Sequence, residues 1–342
     1  DEFTYGLKIR SGAPGLLSIV TGARGIGKTV MLNEAEEAAL KEGWVVISET
    51  ATPGFLERIV QQAAQEFYRL DQKPAGRKLT GMSVAGVSIT TALVPEAEVS
   101  WRQHFENLLE VLDRNKTGLL ITLDEIHGAD RAELSQLAAW VQHFIRSAQP
   151  IALIFAGLPA AVSDLLNEGV ATFMRRADRI DLSTVSVGEV EASYRDIFAA
   201  LPLTVAPEVF AYAAEASGGY PFMIQLVGYH LWKIAETRQK ELSLEDARPA
   251  VSLAQQRHVR MVLEAALVPV SSKDMQFLQA MAQDDTASLT SDLAERLKAK
   301  KNTVGNYRAR LLDAGLIVAS GHGKVDFALP GLRQYLRAQT PQ

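Results

Sequence analysis

Leu16-Leu17-Ser18-Ile19-Val20-Thr21-Gly22-Ala23-Arg24-Gly25-Ile26-Gly27-Lys28-Thr29 is the stretch that decides how this chain folds. Leu16–Thr21 is an aliphatic, β-branched run of strand length that stops at glycine, and Thr29–Lys41 continues with apolar residues at helical spacing. Strand, loop and helix follow in that order. Gly22–Thr29 fits the spacing G-x-x-x-x-G-K-S/T without a mismatch. Its glycines let successive backbone N–H groups turn inward, and a helix beginning near Lys28 aims its positive end at the same point. Such a loop receives phosphates: Lys28 would reach the β and γ phosphates of ATP, or the β-phosphate of ADP, and the Thr29 hydroxyl would hold magnesium. Gly22, Ala23, Arg24, Gly25, Ile26, Gly27, Lys28, Thr29 and Val30 are therefore the candidate nucleotide-binding residues. A glycine-rich structural turn is the bland alternative, and the strand-loop-helix setting speaks against it.

Outward from the loop the alternation continues. Gly43 closes the first helix, and Trp44–Glu49 reads as a second buried strand. Phe55–Leu70 and Val99–Arg114 have helical spacing; Leu119–Leu123 and Ile151–Ala156 are buried-strand runs, and Arg179–Leu182 is a weaker fifth. Strands alternating with helices predict a parallel α/β sheet. Met82–Leu93, rich in Val, Ile, Thr and Gly, reads as an inserted hairpin.

The run Leu119–Leu123 ends in Asp124-Glu125, which puts two carboxylates at the C-terminal edge of a buried parallel strand, where ligands of such sheets bind. Asp124 would bind magnesium through water, and Glu125 would polarise the water that attacks the γ-phosphate. By itself an acidic pair after an apolar strand is more often a helix N-cap; the glycine loop upstream favours the catalytic reading. His127 follows the pair, and a lone histidine at a helix start is more often structural than catalytic. No HExxH or GxSxG pattern is present, which leaves metalloprotease and serine hydrolase chemistry without support.

At 342 residues, 47% hydrophobic and 22% charged, the chain is long enough for two or three domains. It contains no cysteine, which excludes disulfides and Cys-based zinc sites. No apolar run approaches the roughly 20 residues of a membrane helix, so a cytoplasmic address without membrane contact is expected. The chain opens at Asp1 close ahead of the glycine loop, which predicts a further N-terminal segment. The net charge of −5 argues against a protein coated in nucleic acid, but charge is unevenly distributed.

From Ser186 the periodicity predicts helices only: Glu189–Ala200, Pro207–Ala216, Pro221–Thr237 and Ser252–Leu267. Beyond Ser272 come three short helical segments, Lys273–Met281, Thr290–Lys298 and Asn302–Ala314. Leu316–Ala319, a glycine turn and Val325–Leu329 complete the pattern of a winged helix-turn-helix. The expected domains are an ATPase core over 1–186, a helical lid over 187–270 and a winged helix over 271–342. Arg296–Arg310 carries six cationic side chains and no acidic one. The second helix of such a motif enters the major groove of double-stranded DNA, so Asn302, Thr303, Asn306 and Tyr307 would meet bases or phosphates. Lys298, Lys300, Lys301, Arg308 and Arg310 would neutralise backbone charge, and Lys324, in the hairpin turn, would touch the minor groove. The alternatives are a protein-docking winged helix and a solvated basic face.

GARGIGKT, LLITLDEIH, IALIFAGLP and ASGGYPFMIQLVG together resemble AAA+ ATPases of the origin-recognition and initiator-like group, over nearly the whole chain. The resemblance implies ATP hydrolysis, a sheet of strand order 5-1-4-3-2, and Arg175, Arg176 and Arg179 as sources of a finger for a neighbouring subunit's nucleotide, with Arg176 the choice. A surface salt bridge is the bland reading of each arginine. Initiator-type relatives end the strand at Ile151–Gly157 in a polar sensor and begin a lid helix with arginine. Here Ala156-Gly157-Leu158 and Gly218-Gly219-Tyr220-Pro221-Phe222 stand instead, which implies slow hydrolysis or a nucleotide-controlled switch. Two functions follow: an ATP-dependent DNA-binding protein, or a signalling or assembly switch whose winged helix docks protein, with self-association open; an ATPase-dead scaffold is a third, lesser option that the missing sensors keep.

Overall fold

The computed structural model describes residues 2–10, 13, 15–70, 101–167, 172–237 and 241–339. Met82–Leu93, expected as an inserted hairpin, lies outside them. The chain divides into two compact units: Asp1–Val20, Thr29–Gly157 and Val162–Ile180 form one, and Thr21–Lys28, Leu158–Ala161 and Asp181–Gln342 the other.

In chain order the first part runs α1 Glu2–Ile9, β1 Leu17–Thr21, α2 Lys28–Lys41, β2 Val45–Thr50, α3 Phe55–Leu70, α4 Trp101–Arg114, β3 Leu119–Asp124, α5 Arg131–Arg146, β4 Ile151–Gly157, α6 Pro159–Asn167 and β5 Asp178–Asp181. The strands form a parallel sheet of order β2-β3-β4-β1-β5, which is the implied order read from the other edge. Val45 pairs with Leu119, and Leu119 with Ile151, so the C-terminal ends of β2, β3 and β4 lie level. β3 and β4 are the strands with uninterrupted apolar runs, and both are buried along almost their whole length. That is the signature of strands covered on both faces.

The core of this unit gathers Phe55 and Ile59 from α3, Phe105 and Leu109 from α4, and Leu137 and Phe144 from α5 against Ile121, Leu153 and Phe155 of the sheet. Phe105 and Phe144 stack at 6.1 Å between centroids. Each such side chain contributes roughly 1.5–3 kcal/mol over leaving it in water. α1, α5 and α6 add to the segments expected from periodicity. The pattern of α5 is plain in hindsight: Leu134, Leu137, Ala138, Val141 and Phe144 are its buried stripe, and Asp130 caps it by accepting from the N–H groups of Ala132 and Glu133.

The second unit continues with α7 Val187–Phe198, β6 Thr204–Val205, α8 Pro207–Ser217, α9 Pro221–Thr237, β7 Glu241–Leu242 and α10 Leu244–His258. The expectation of helices alone is corrected by the short parallel pair β6 and β7. α10 begins eight residues before its expected start because Ser243 and Asp246 form a capping box there. A π-helical turn over Val259–Glu264 and α11 Ala265–Leu267 lead out of it. Val190, Phe198, Phe210, Tyr220 and Leu231 build a core that also contains Ile26 of the glycine loop.

The C-terminal module comprises α12 Ser272–Ala282, β8 Ser288–Leu289, α13 Thr290–Arg296, α14 Lys301–Asp313, β9 Ile317–Ala319, β10 Lys324–Phe327 and α15 Leu332–Gln339. Its sheet has three strands in the order β8-β10-β9, all antiparallel, where two were expected. Two-residue β8 is too short to show periodicity in sequence. Phe277, Met281, Leu293, Val304, Leu311, Val325 and Leu336 fill a third core. Among the described residues no helix is long and apolar enough to cross a membrane.

Candidate nucleotide site

β1 delivers the glycine loop into the first turn of α2, as strand-loop-helix spacing requires. Gly25 and Gly27 both take the left-handed backbone, with φ of 70° and 99°. Lys28 is 6% exposed, and its ammonium donates to the carbonyls of Gly22 and Ala23 at 3.1 and 3.0 Å. The lysine is thereby folded over its own loop, a placement that only a compact, bent backbone allows.

The next residue, Thr29, starts the exposed side of α2, and its hydroxyl donates to Asp124 Oδ2 at 2.6 Å. Asp124 ends β3, and its other carboxylate oxygen accepts from the Glu125 N–H at 2.7 Å. Glu125 adopts φ 58°, a left-handed conformation uncommon for a side chain of this size. The two carboxylates, adjacent in sequence, take different partners: Asp124 accepts from Thr29, and Glu125 lies against His127. His127 Nε2 lies 3.0 Å from Glu125 Oε2, and its Nδ1 is buried with no hydrogen-bond partner among the described residues. The histidine that sequence reading set aside as structural is therefore the neighbour of the candidate base. Only the spacing Glu-x-His hinted at it. Thr122, one pleat below on β3, donates to Glu36 of α2 and ties helix to strand.

The two departures from the initiator pattern have structural causes. A Cβ on Gly157 would lie 2.4 Å from Ile126, so the end of β4 has no room for a polar side chain. At the start of α9, Tyr220 is fully buried, and its hydroxyl donates to the Arg24 carbonyl of the glycine loop at 2.6 Å. A Cβ on Gly25 would lie 2.0 Å from that hydroxyl. Burial pushes the Tyr220 pKa up to about 12, so the phenol stays a donor throughout the physiological range. Arg176 and Arg179 are exposed near β5, whereas Arg175 bonds the Leu166 carbonyl at 3.1 Å.

His258, at the end of α10, meets the Tyr220 ring edge-on at 5.6 Å, and its Nε2 lies 2.9 Å from the Pro330 carbonyl. A carbonyl only accepts, so Nε2 carries the proton; Nδ1 is buried and has no hydrogen-bond partner among the described residues. Burial lowers the His258 pKa and the bond to Pro330 opposes that shift without cancelling it; His230 is lowered too, by burial and then by Arg257 and Lys233. A lowered histidine pKa means the unfolded chain binds protons that the folded one refuses. Stability is therefore present above an ordinary histidine pKa of about 6.5 and falls as pH drops through it. His258→Gln keeps an N–H for Pro330 but does not titrate. In thermal unfolding, its loss of Tm between pH 7.5 and 5.5 is expected to be smaller than that of the parent, with His230 supplying the remainder.

In the C-terminal module, the cations of Arg296–Arg310 separate into two groups. Arg310, expected on a DNA backbone, instead makes a two-pronged bond to Asp274 at 2.6 and 3.1 Å and lies 5.1 Å over the Tyr307 ring. Burial alone would raise the Asp274 pKa, but the bonds from Arg310 and Ser271 leave it lowered. Arg296 is held by Asp284 in the same way. Tyr307 is half-buried and edge-on to Phe277, turned toward the core. Lys298, Lys300, Lys301, Asn302 and Asn306 are exposed, and Thr303 and Arg308 half-exposed. Lys324 is exposed too, as the first residue of β10 rather than part of the turn.

A five-stranded parallel sheet in this order, with a glycine loop feeding the helix after β1, defines the P-loop nucleoside triphosphatase fold. Within that class, residues 4–154 match the AAA ATPase domain family, and residues 260–336 match a domain of unknown function, DUF8462. The fold is shared with a Walker-type ATPase of Pyrococcus abyssi at 15% identity and a TM-score of 0.65, over 98% of this chain and 95% of the other. It is likewise similar to the ORC2 protein of Aeropyrum pernix, solved in ADPNP-ADP complexes, at 16% identity and a TM-score of 0.63 over 98% and 90%. Cdc6p from Pyrobaculum aerophilum follows at 15% and 0.52, over 98% and 89%. No curated protein matches the sequence.

Proposed function

We propose that this chain binds ATP with magnesium at Gly22–Thr29 and Asp124, hydrolyses it slowly, and uses the nucleotide to control a winged-helix module that binds double-stranded DNA. The observation that carries the nucleotide half is the 2.6 Å pair between Thr29 Oγ1 and Asp124 Oδ2. It joins the first turn after the glycine loop to the acidic end of β3. A hydroxyl and a carboxylate oxygen are the donor types a hard divalent cation takes. Thr29 and Asp124 would hold magnesium, which supplies charge neutralisation for the phosphates when bound. The loop's backbone N–H groups and Lys28 bind the phosphates. Glu125 draws the proton from the attacking water, and His127 orients its carboxylate. The Aeropyrum relative solved with ADPNP and ADP supports a nucleotide of this kind. Arg176 is the candidate finger toward a neighbouring copy. The closed end of β4 and the tyrosine at the lid position support slow turnover.

The DNA half draws on the start of α14. Lys300 is its N-cap, Lys301 its first residue, and no side chain caps its N–H groups. Two cations at the positive end of a helix are unfavourable by a few tenths to about 1 kcal/mol each. A phosphate placed there reverses the sign of both terms and accepts from the N–H groups. Asn302, Thr303, Asn306 and Arg308 lie on the same helix, with Lys324 the contribution of the wing. The internal pairing of Arg296 and Arg310 removes two cations from such a face, and it favours the alternative of a protein partner to that extent.

Anisotropy of labelled duplex DNA over a salt series, with ATP, ADP or no nucleotide, tests this reading. Affinity is expected to fall steeply with salt and to change with nucleotide. Reversing Lys300 and Lys301 to Glu is expected to weaken binding and to reduce the slope of log K against log salt by about 2. DNA binding that is absent, or indifferent to both the reversal and the nucleotide, would mean that the module docks protein.

A further inference from the structure

Between the glycine loop and the C-terminal module runs a chain of polar and aromatic contacts built on the buried side chains of Tyr220 and His258, all within the second unit. It starts at the Arg24 carbonyl, which accepts from the Tyr220 hydroxyl. The Tyr220 ring meets His258 edge-on, and Phe222 lies 6.0 Å from the same imidazole. His258 is 6% exposed and donates to the Pro330 carbonyl, between β10 and α15. Directly after His258 the helix takes its π-helical turn, a local widening that is most common at functional positions. Ile26 anchors the loop to the second core.

We propose that Tyr220 is a positioning residue for the phosphate loop, and that Tyr220 and His258 together transmit a change in that loop to the C-terminal module at Pro330. This rests on ATP being taken up at Gly22–Thr29. Lys28 donates to the Gly22 and Ala23 carbonyls, so an anion that draws the ammonium acts on the peptide units next to the one Tyr220 holds. The hydroxyl is the sole polar contact through which Tyr220 reaches the loop among the described residues. Its ring is close-packed against His258, so a displacement at Arg24 has no slack to disappear into. At the far end, one hydrogen bond to Pro330 connects the imidazole to the segment that enters α15. The module then responds to nucleotide through a route that involves no DNA.

Hydrogen exchange of the full chain, with and without ATP and magnesium, tests this. In the parent, ATP is expected to slow exchange in peptides covering 22–28 and to change it in peptides covering 328–336. Tyr220→Phe keeps the ring and deletes the hydroxyl. It is expected to retain the response at 22–28, to weaken ATP binding by about two- to twelve-fold, and to lose the response at 328–336. His258→Leu preserves bulk and deletes the bond to Pro330. It is expected to leave ATP affinity unchanged and to lose only the distal response. A distal response that survives in both variants, or is missing from the parent while 22–28 is protected, overturns the coupling. If ATP leaves 22–28 unchanged in the parent, the nucleotide reading fails and the coupling with it. Unfolding curves for both variants separate loss of coupling from loss of fold, since a merely destabilised chain exchanges faster everywhere.

Discussion

Glu125→Gln is expected to lower ATP hydrolysis by about 10²- to 10⁴-fold, the usual contribution of a general base, while changing ATP affinity by no more than about two-fold. The amide keeps the size and the hydrogen-bonding reach of the carboxylate but cannot take a proton. Its position is set by the left-handed backbone at this residue, φ 58°, and by His127 at 3.0 Å. Neither feature depends on the charge being removed. Lys28→Ala should fail differently. It deletes a charge-assisted bond to the phosphates worth about 1.5–3 kcal/mol, so ATP affinity is expected to fall by roughly 10- to 150-fold. Single-turnover hydrolysis together with a fluorescent ATP titration separates the two. Equal hydrolysis rates in the parent and Glu125→Gln would remove Glu125 from the role of base. His127 would then be left as its structural neighbour only.

Gly219→Ala is expected to cost about 3 kcal/mol or more in stability, the largest effect of a single methyl group in the helical region. Gly219 has φ 69°, and a Cβ there would sit 1.9 Å from the Val185 carbonyl oxygen. That neighbour is backbone, and it cannot swing away. The Val185 N–H also donates to the Gly219 carbonyl at 2.8 Å, so the two segments are held together as closely as backbones permit. Gly218→Ala is the matching control. Its φ is 57°, but nothing lies within 4 Å of its Cβ position, so only the cost of the left-handed backbone applies, about 1–2 kcal/mol. Thermal unfolding should show the difference directly. Because Tyr220 follows Gly219, the strained variant should also weaken ATP binding, whereas Gly218→Ala should not. Similar melting temperatures for the two variants would show that the segment at Val185 yields.

Sequence by itself determined the strand-loop-helix at Leu16–Lys41, the buried runs of β3 and β4, and the acidic pair at the end of β3. These are local patterns: a strand buried on both faces must be apolar throughout, and a phosphate loop needs its glycines and lysine at set intervals. Helices α12, α13 and α14 of the C-terminal module were legible for the same reason, because their apolar spacing repeats within a dozen residues; α15 was not expected. β6, β7 and β8 were not, since two residues carry no period and their pairing partners lie far along the chain.

Tertiary structure alone decided the rest. That His127 turns back on Glu125 depends on a left-handed residue at Glu125, which side-chain type does not announce. That Arg310 and Arg296 are bound by Asp274 and Asp284 depends on contacts 36 and 12 residues apart, so charge counting along the sequence leaves both among the six cations of the segment and places Arg310 on a DNA backbone. The absence of a polar group after β4 was visible as Gly157, but its cause, Ile126 against the glycine, was not. Tyr220 is the clearest case. In sequence it stands where an arginine was expected; folded, its hydroxyl reaches a loop nearly two hundred residues earlier, because a buried phenol needs an acceptor and the Arg24 carbonyl supplies it.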